Sequence, residues 1–185
     1  LGYTHYYPHK RDVPQKQWDL LCSELQKLWK ALPTIPSPNG ADDNRLLVVC
    51  DGLGEHPVLT AGDLLVGIEG NRQDGKNSQA ICFNGDAAQG LDHETFMLPQ
   101  QKGEGEEYLF CKTAHQPYDS LVIAVLILVH NLCPGCFDIS SDGDARQWAP
   151  VCQWVNQVTA HEYLLPMGVI SAVFRQRNHK NLKAG

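Results

Sequence analysis

The sequence predicts an α+β fold: an antiparallel or mixed sheet of about five to seven strands packed with three helices. Three observations carry that prediction. An apolar stripe of helical period runs from Trp18 to Leu32, several short β-prone runs follow one another between residues 45 and 111, and two further helical segments come after them. At 185 residues, 43% apolar and 19% charged, the chain can bury one core without disulfide staples. The expected organisation is a single globular domain over 1–174 and a basic tail over 175–185.

The opening run Gly2 to Tyr7 is rich in Tyr and Thr, residues that suit a half-buried strand, and Pro8 ends it. Trp18, Leu21, Cys22, Leu25, Leu28, Trp29 and Leu32 share one helical face, with Pro14 pre-setting the first turn and Pro33 closing the helix. Pro33 to Asn44 has no periodic apolar pattern and reads as a surface loop. Arg45 to Cys50 reads as a buried strand, followed by strands at Leu64 to Ile68, Gln79 to Phe83, Thr95 to Leu98 and Tyr108 to Cys111. With no helix between them, these runs imply antiparallel pairing. Gln116 to Asn131 is apolar on every face around Leu121 to Val129, and its length favours a buried helix. Phe137 to Ser140 follows as a short strand. Trp148, Val151, Cys152, Val155 and Val158 then line one face of a last helix, which Pro150 must start or kink.

Fifteen basic against twenty-one acidic residues give a net charge of -6. That balance argues against generic nucleic-acid binding and against an anionic membrane surface. The charge is uneven, because Arg175, Arg177, Lys180 and Lys183 lie beyond Ser171 with no acid among them. Seven cysteines, an odd number, and the lack of an apolar N-terminal run predict a soluble cytoplasmic protein with free or metal-bound thiols. The longest apolar run, Leu121 to Val129, is about half of the roughly 20 residues that span a bilayer.

Several residue groups invite a chemical reading. His130, Cys133 and Cys136 stand at H-x2-C-x2-C, a spacing that suits a structural zinc, with Cys152 or His161 as a fourth ligand; a Pro-Gly turn holding two small buried thiols is favoured over it. The same CPGC run follows a helix and precedes a strand, the reverse of a thioredoxin-like redox site. His93 and Glu94 are direct neighbours and Leu132 stands where a proline should precede Cys133, so the zinc deaminase pattern fails. Asp138, Ser140, Asp142, Gly143 and Asp144 match the start of a calcium loop, but Ala149 replaces its bidentate Glu, and a strand-to-helix turn capped by Asp142 accounts for them better. The aromatic opening Tyr3, His5, Tyr6 and Tyr7 suits core packing more than base stacking.

One further constellation gathers His93, Glu94, Lys112, Thr113, His115, Tyr118 and Asp119 at two strand ends and a helix start. Polar groups so placed can hold an anion or move protons. The candidate catalytic residues are His93, Glu94 and Asp119; the candidate ligand-binding residues are His5, Lys112, Thr113 and Tyr118. A satisfied hydrogen-bond network without a ligand is favoured over ligand binding for this cluster.

The segments GYTHYY, FNGDAAQGLDHETF, FCKTAHQPYD and SDGD together resemble a family of small bacterial and phage proteins. That family opens with GYTHYW and carries an FNG turn, a HETF-like strand and an F-x-KT-x3-PYD segment. The resemblance spans residues 2 to about 148. This chain has Tyr7 in place of the family's Trp and a long insertion from Pro33 to Asn44. The resemblance implies a shared fold, a mobile-element context and no particular reaction, and it marks His5, His93, Glu94, Lys112, Tyr118 and Asp119. With no complete catalytic motif, the expected function is a binding or interaction protein with an unidentified protein partner. The alternative is a small enzyme or ligand-binding protein for an anionic or phosphorylated small molecule, with Lys112 and Thr113 gripping the anion.

Overall fold

A computed structural model describes residues 2–69, 77–104 and 108–170; the basic tail over 175–185 lies outside them. In chain order the elements are β1 (Thr4–Tyr6), α1 (Gln15–Lys30), β2 (Leu65–Ile68), β3 (Ser78–Phe83), β4 (Phe96–Pro99), β5 (Phe110–Lys112), α2 (Asp119–Leu132), β6 (Ser140–Ser141) and α3 (Ala145–Thr159). The class is α+β, but the single sheet of five to seven strands is corrected. The strands divide into two antiparallel sheets of three, ordered β5-β1-β6 and β2-β3-β4.

Glu94 explains the division. Where β4 approaches β5, the Glu94 N–H donates to the Lys112 carbonyl at 3.2 Å, while Glu94 Oε2 accepts the Lys112 N–H at 2.7 Å. A side-chain carboxylate thus occupies the donor that a neighbouring strand would need to continue the ladder.

Helices α1, α2 and α3 pack on one another, and their buried residues share one core with those of both sheets. Helix α1 buries Trp18, Leu21, Leu25 and Leu28, the stripe that its periodicity marks, and the Trp18 indole N–H donates to Gln79 Oε1 at 3.0 Å. Helix α2 is buried at every position from Asp119 to Val129, as an all-round apolar helix must be when protein surrounds it. Among the described residues no helix is long and apolar enough to cross a membrane.

Three local readings change. Arg45 to Cys50 is not a strand: it pairs only through isolated bridges at Cys50, and Leu46 is exposed. The strand expected over Phe137 to Ser140 shrinks to Ser140–Ser141, with Phe137 in a single bridge to His9. The cap of α3 is Asp144 rather than Asp142. Asp144 Oδ1 accepts the N–H groups of Arg146 and Gln147 at 3.0 and 3.1 Å, and Gln147 Oε1 accepts the Asp144 N–H at 3.0 Å, closing a capping box. Asp142 instead ties the turn to β1, its Oδ2 accepting the Thr4 N–H at 3.1 Å. Pro150 lies inside α3, where its missing N–H deprives the Arg146 carbonyl of its usual partner.

His9 makes the fold sensitive to acid. Its ring is 1% exposed and stacks on Phe137 at 4.2 Å, and among the described residues neither ring nitrogen has a hydrogen-bond partner. Burial pulls its pKa down to about 4. Between that value and the ordinary imidazole value near 6.5 the unfolded chain binds the extra proton and the folded chain refuses it, so stability falls as the pH falls through this window. Urea midpoints should drop from pH 6.5 to 4 by an amount equivalent to roughly 2 to 3 kcal/mol. His9→Phe should flatten that part of the profile; an unchanged slope in the variant would refute the assignment.

Candidate functional site

Strand β1 lies between its two partners, and its alternation turns His5 inward while Tyr6 stays 39% exposed. The register sets His5 directly opposite Ser141 on β6, and directly opposed residues share a face of an antiparallel pair. Asp119, the first residue of α2, approaches from above. The result is a short hydrogen-bonded chain: His5 Nε2 to Asp119 Oδ1 at 2.6 Å, and His5 Nδ1 to Ser141 Oγ at 2.8 Å.

The donor directions follow from the chemistry. An ionised carboxylate only accepts, so Nε2 carries a proton toward Asp119, and in the neutral imidazole Nδ1 is left to accept from the Ser141 hydroxyl. Thr113 adds a second donor to Asp119 Oδ1 at 2.6 Å, and the Gly143 N–H donates to Ser141 Oγ at 2.9 Å. His5 and Asp119 are 0% and 1% exposed. The Tyr3 and Trp148 rings meet the His5 imidazole edge-on at 5.1 and 5.4 Å, which shields the chain from water and strengthens it.

Beside this chain lies a cleft of about 550 Å³. Tyr3 and Asp119 line it with Ile123 of α2, Arg146 and Gln147 of α3, and Pro38 of the loop after α1. The backbone next to it is strained: Ala114 and His115 hold positive φ angles of 51° and 58°, a conformation that costs side-chain-bearing residues about 1 kcal/mol or more each. Thr113 and Ala114 N–H groups both reach the Tyr3 carbonyl, and the His115 ring stacks on Tyr3 at 3.6 Å. Asn39 and Arg45 donate to the His115 carbonyl, each at 3.0 Å. Loop, strained corner and Tyr3 form one connected support.

The expected constellation therefore separates into two groups. His5, Thr113 and Asp119 come together, whereas His93, Glu94, Lys112 and Tyr118 clamp the two sheets. Exposed His93 donates from Nδ1 to the Lys112 carbonyl at 2.7 Å, and the Tyr118 hydroxyl donates to the Glu94 carbonyl at 2.6 Å. Burial pushes the Tyr118 phenol far above its ordinary pKa. The Cε–Nζ end of Lys112 lies against Gly2, while the Thr113 hydroxyl donates to Asp119 Oδ1. His130 lies in the last turn of α2 with its pKa lowered by burial, Cys133 is pushed up to about 12 by burial and by Cys136 and Cys22, and Cys136 Sγ approaches the Asp12 carbonyl at 3.7 Å. Among the described residues no three His, Cys, Asp or Glu side chains gather to hold a metal ion.

Sequence reasoning missed Ser141 and Arg146. No spacing could reveal Ser141, because its partners lie 136 and 2 residues away. Removing Asp119 should expose how much the fold relies on this chain: Asp119→Ala strands the His5 and Thr113 donors in a dry interior and should cost about 2 to 4 kcal/mol in chemical denaturation. A loss below 1 kcal/mol would contradict that assignment.

No family model, curated protein or solved structure matches the chain, so the reading of the site rests on its geometry.

Proposed function

We propose that the chain is a small enzyme of the acyl-transfer class, with Ser141 as nucleophile, His5 as general base and Asp119 as the group that orients His5. One observation carries this reading: a serine hydroxyl, an imidazole and a buried carboxylate in hydrogen-bonded series, with bonds of 2.8 and 2.6 Å. In such a series the imidazole takes the hydroxyl proton as the oxygen attacks, and the carboxylate stabilises the imidazolium. Ser141 Oγ would form a bond to the acyl carbon while its proton moves to His5 Nδ1. Breakdown would return that proton to the leaving group, and water would then release the acyl group by the same route. The orientation is inverted relative to the familiar triad, since Nδ1 rather than Nε2 faces the serine; the proton inventory is the same.

The small-molecule alternative raised by the sequence is kept in this form, with the cation for an anionic substrate group moved from Lys112 to Arg146 at the cleft mouth. Arg146 is 68% exposed and pairs with Asp144 at 2.8 Å. Membership of the GYTHYW-type bacterial and phage family is part of the same proposal: Tyr3 and His5, Thr113 and Asp119, and Ser141 and Gly143 all fall within segments that carry the resemblance. A cytoplasmic setting suits the seven free cysteines.

A second reading, the interaction protein, draws on the outer face of the β5-β1-β6 sheet. Tyr6 and Phe110 stand opposite each other there at 39% and 54% exposure, with Tyr108 at 70% close by in sequence. An acidic chain that exposes aromatic rings on one sheet face has the makings of a docking surface.

Fluorophosphonate labelling followed by intact-mass and peptide analysis tests the enzymatic reading. A single adduct on Ser141 is expected, absent in Ser141→Ala and slowed about 10³-fold in His5→Ala. Labelling that is absent, or that survives in Ser141→Ala, would remove the acyl-transfer function. Retrieval of a native partner that is lost in Phe110→Ser would then favour the interaction protein.

A further inference from the structure

The acyl-transfer chain leaves one need unanswered, a donor for the oxygen that becomes negative when Ser141 adds to a carbonyl. Such donors act best when they are fixed before the reaction and sheltered from water. Tyr3 meets both conditions. Its ring is 5% exposed, yet it lines the cleft. Its backbone carbonyl is held by two N–H groups and its ring by the His115 stack at 3.6 Å. Its phenol oxygen packs so closely on Gly143 that a Cβ there would collide with it. Gly143 is also the residue whose N–H holds Ser141 Oγ at 2.9 Å, so the phenol and the proposed nucleophile are fixed against the same residue.

The electrostatics agree with that geometry. Burial, reinforced by the Asp119 charge, pushes the phenol pKa well above the ordinary value, against the hydrogen-bonding influence of the neighbouring Ser141 and Trp148 side chains, and so keeps the proton on the oxygen. Trp148 is itself fully buried, which fixes the phenol from that side as well.

We propose that Tyr3 is a catalytic residue of this chain: its phenol O–H, held between the cleft and Ser141, donates to the oxyanion formed when Ser141 Oγ bonds to an ester carbonyl carbon. The inference rests on the acyl-transfer reading. The carbonyl π pair moves onto oxygen as the Oγ–C bond forms, the serine proton goes to His5, and Tyr3 keeps its own proton throughout. When the carbonyl re-forms, the pair returns and the alcohol leaves with the proton from His5.

The experiment compares p-nitrophenyl acetate hydrolysis by the full chain, by Tyr3→Phe and by a chain carrying fluorotyrosine at position 3, a stronger O–H donor of nearly the same shape. Tyr3→Phe should lower kcat about 100-fold with KM within about twofold. Fluorotyrosine should hold kcat at or above that of the parent, which a purely packing role would not require. Because fluorotyrosine keeps the ring and its oxygen, it decides the matter even if Tyr3→Phe folds poorly. Parental kcat in Tyr3→Phe, or a kcat in the fluorotyrosine chain as low as that of Tyr3→Phe, would overturn the Tyr3 assignment while Ser141-dependent turnover continued. A parent chain without Ser141-dependent turnover would overturn the acyl-transfer reading, and the role of Tyr3 with it.

Discussion

A carboxylate at 1% exposure must be paired, and in this chain Asp119 is paired with one residue far away in sequence and one close by. His5 lies 114 residues before it and Thr113 six before it, and both donate to the same oxygen. Leaving an ionised carboxylate alone in such surroundings would cost several kcal/mol. The segments holding His5, Thr113 and Asp119 must therefore arrive together or not at all. That requirement fixes the central strand against the first turn of the buried helix, and the strand register then brings Ser141 to the far side of the same imidazole.

Much of the frame was legible because helical periodicity is a local signal. The Trp18 stripe predicted α1, with Pro14 at its start; the helix ends at Lys30, short of the expected Leu32, which opens a 3-10 turn instead. The all-apolar run after Pro117 correctly predicted a buried helix, since no face of it could tolerate water. The sheets were less legible, because strand partners are chosen by long-range hydrogen bonding. Arg45 to Cys50 has a buried strand's composition but among the described residues makes no more than isolated bridges at Cys50, and Glu94 halts the ladder between the sheets with a side chain that no pattern of apolar residues records.

The site divides in the same way. Asp119 and Thr113 stood out in a cluster of polar groups at predicted element ends, and His5 in the aromatic opening and the segments of the resemblance; buried polar groups require mutual bonding. His93, Glu94, Lys112 and Tyr118 stood out for the same reason, yet their hydrogen bonds close largely on one another's backbone. Type and position could not separate the two groups, since the difference lies in which atoms are bonded. Ser141 stood out only as part of the SDGD segment, being one serine of an adjacent pair at the edge of a turn.

That difference is what makes the His5 group chemically interesting. In the Glu94 clamp the carboxylate accepts a backbone N–H and the tyrosine donates to a carbonyl, so each side chain completes an obligatory backbone bond. Around His5 the bonds run from side chain to side chain, they end on a hydroxyl, and strained backbone at Ala114 and His115 holds the adjacent Tyr3 in place. A structural network has little need of strain, because an unstrained arrangement with the same bonds would be more stable. The arrangement is better explained by a requirement on where Tyr3 must be, and the loop after α1 meets that requirement by donating from Asn39 and Arg45 to the His115 carbonyl while Pro38 forms part of the cleft wall. One loop thus holds the strained corner and bounds the space beside it, so changes in that loop would alter the shape of the cleft and the position of Tyr3 together.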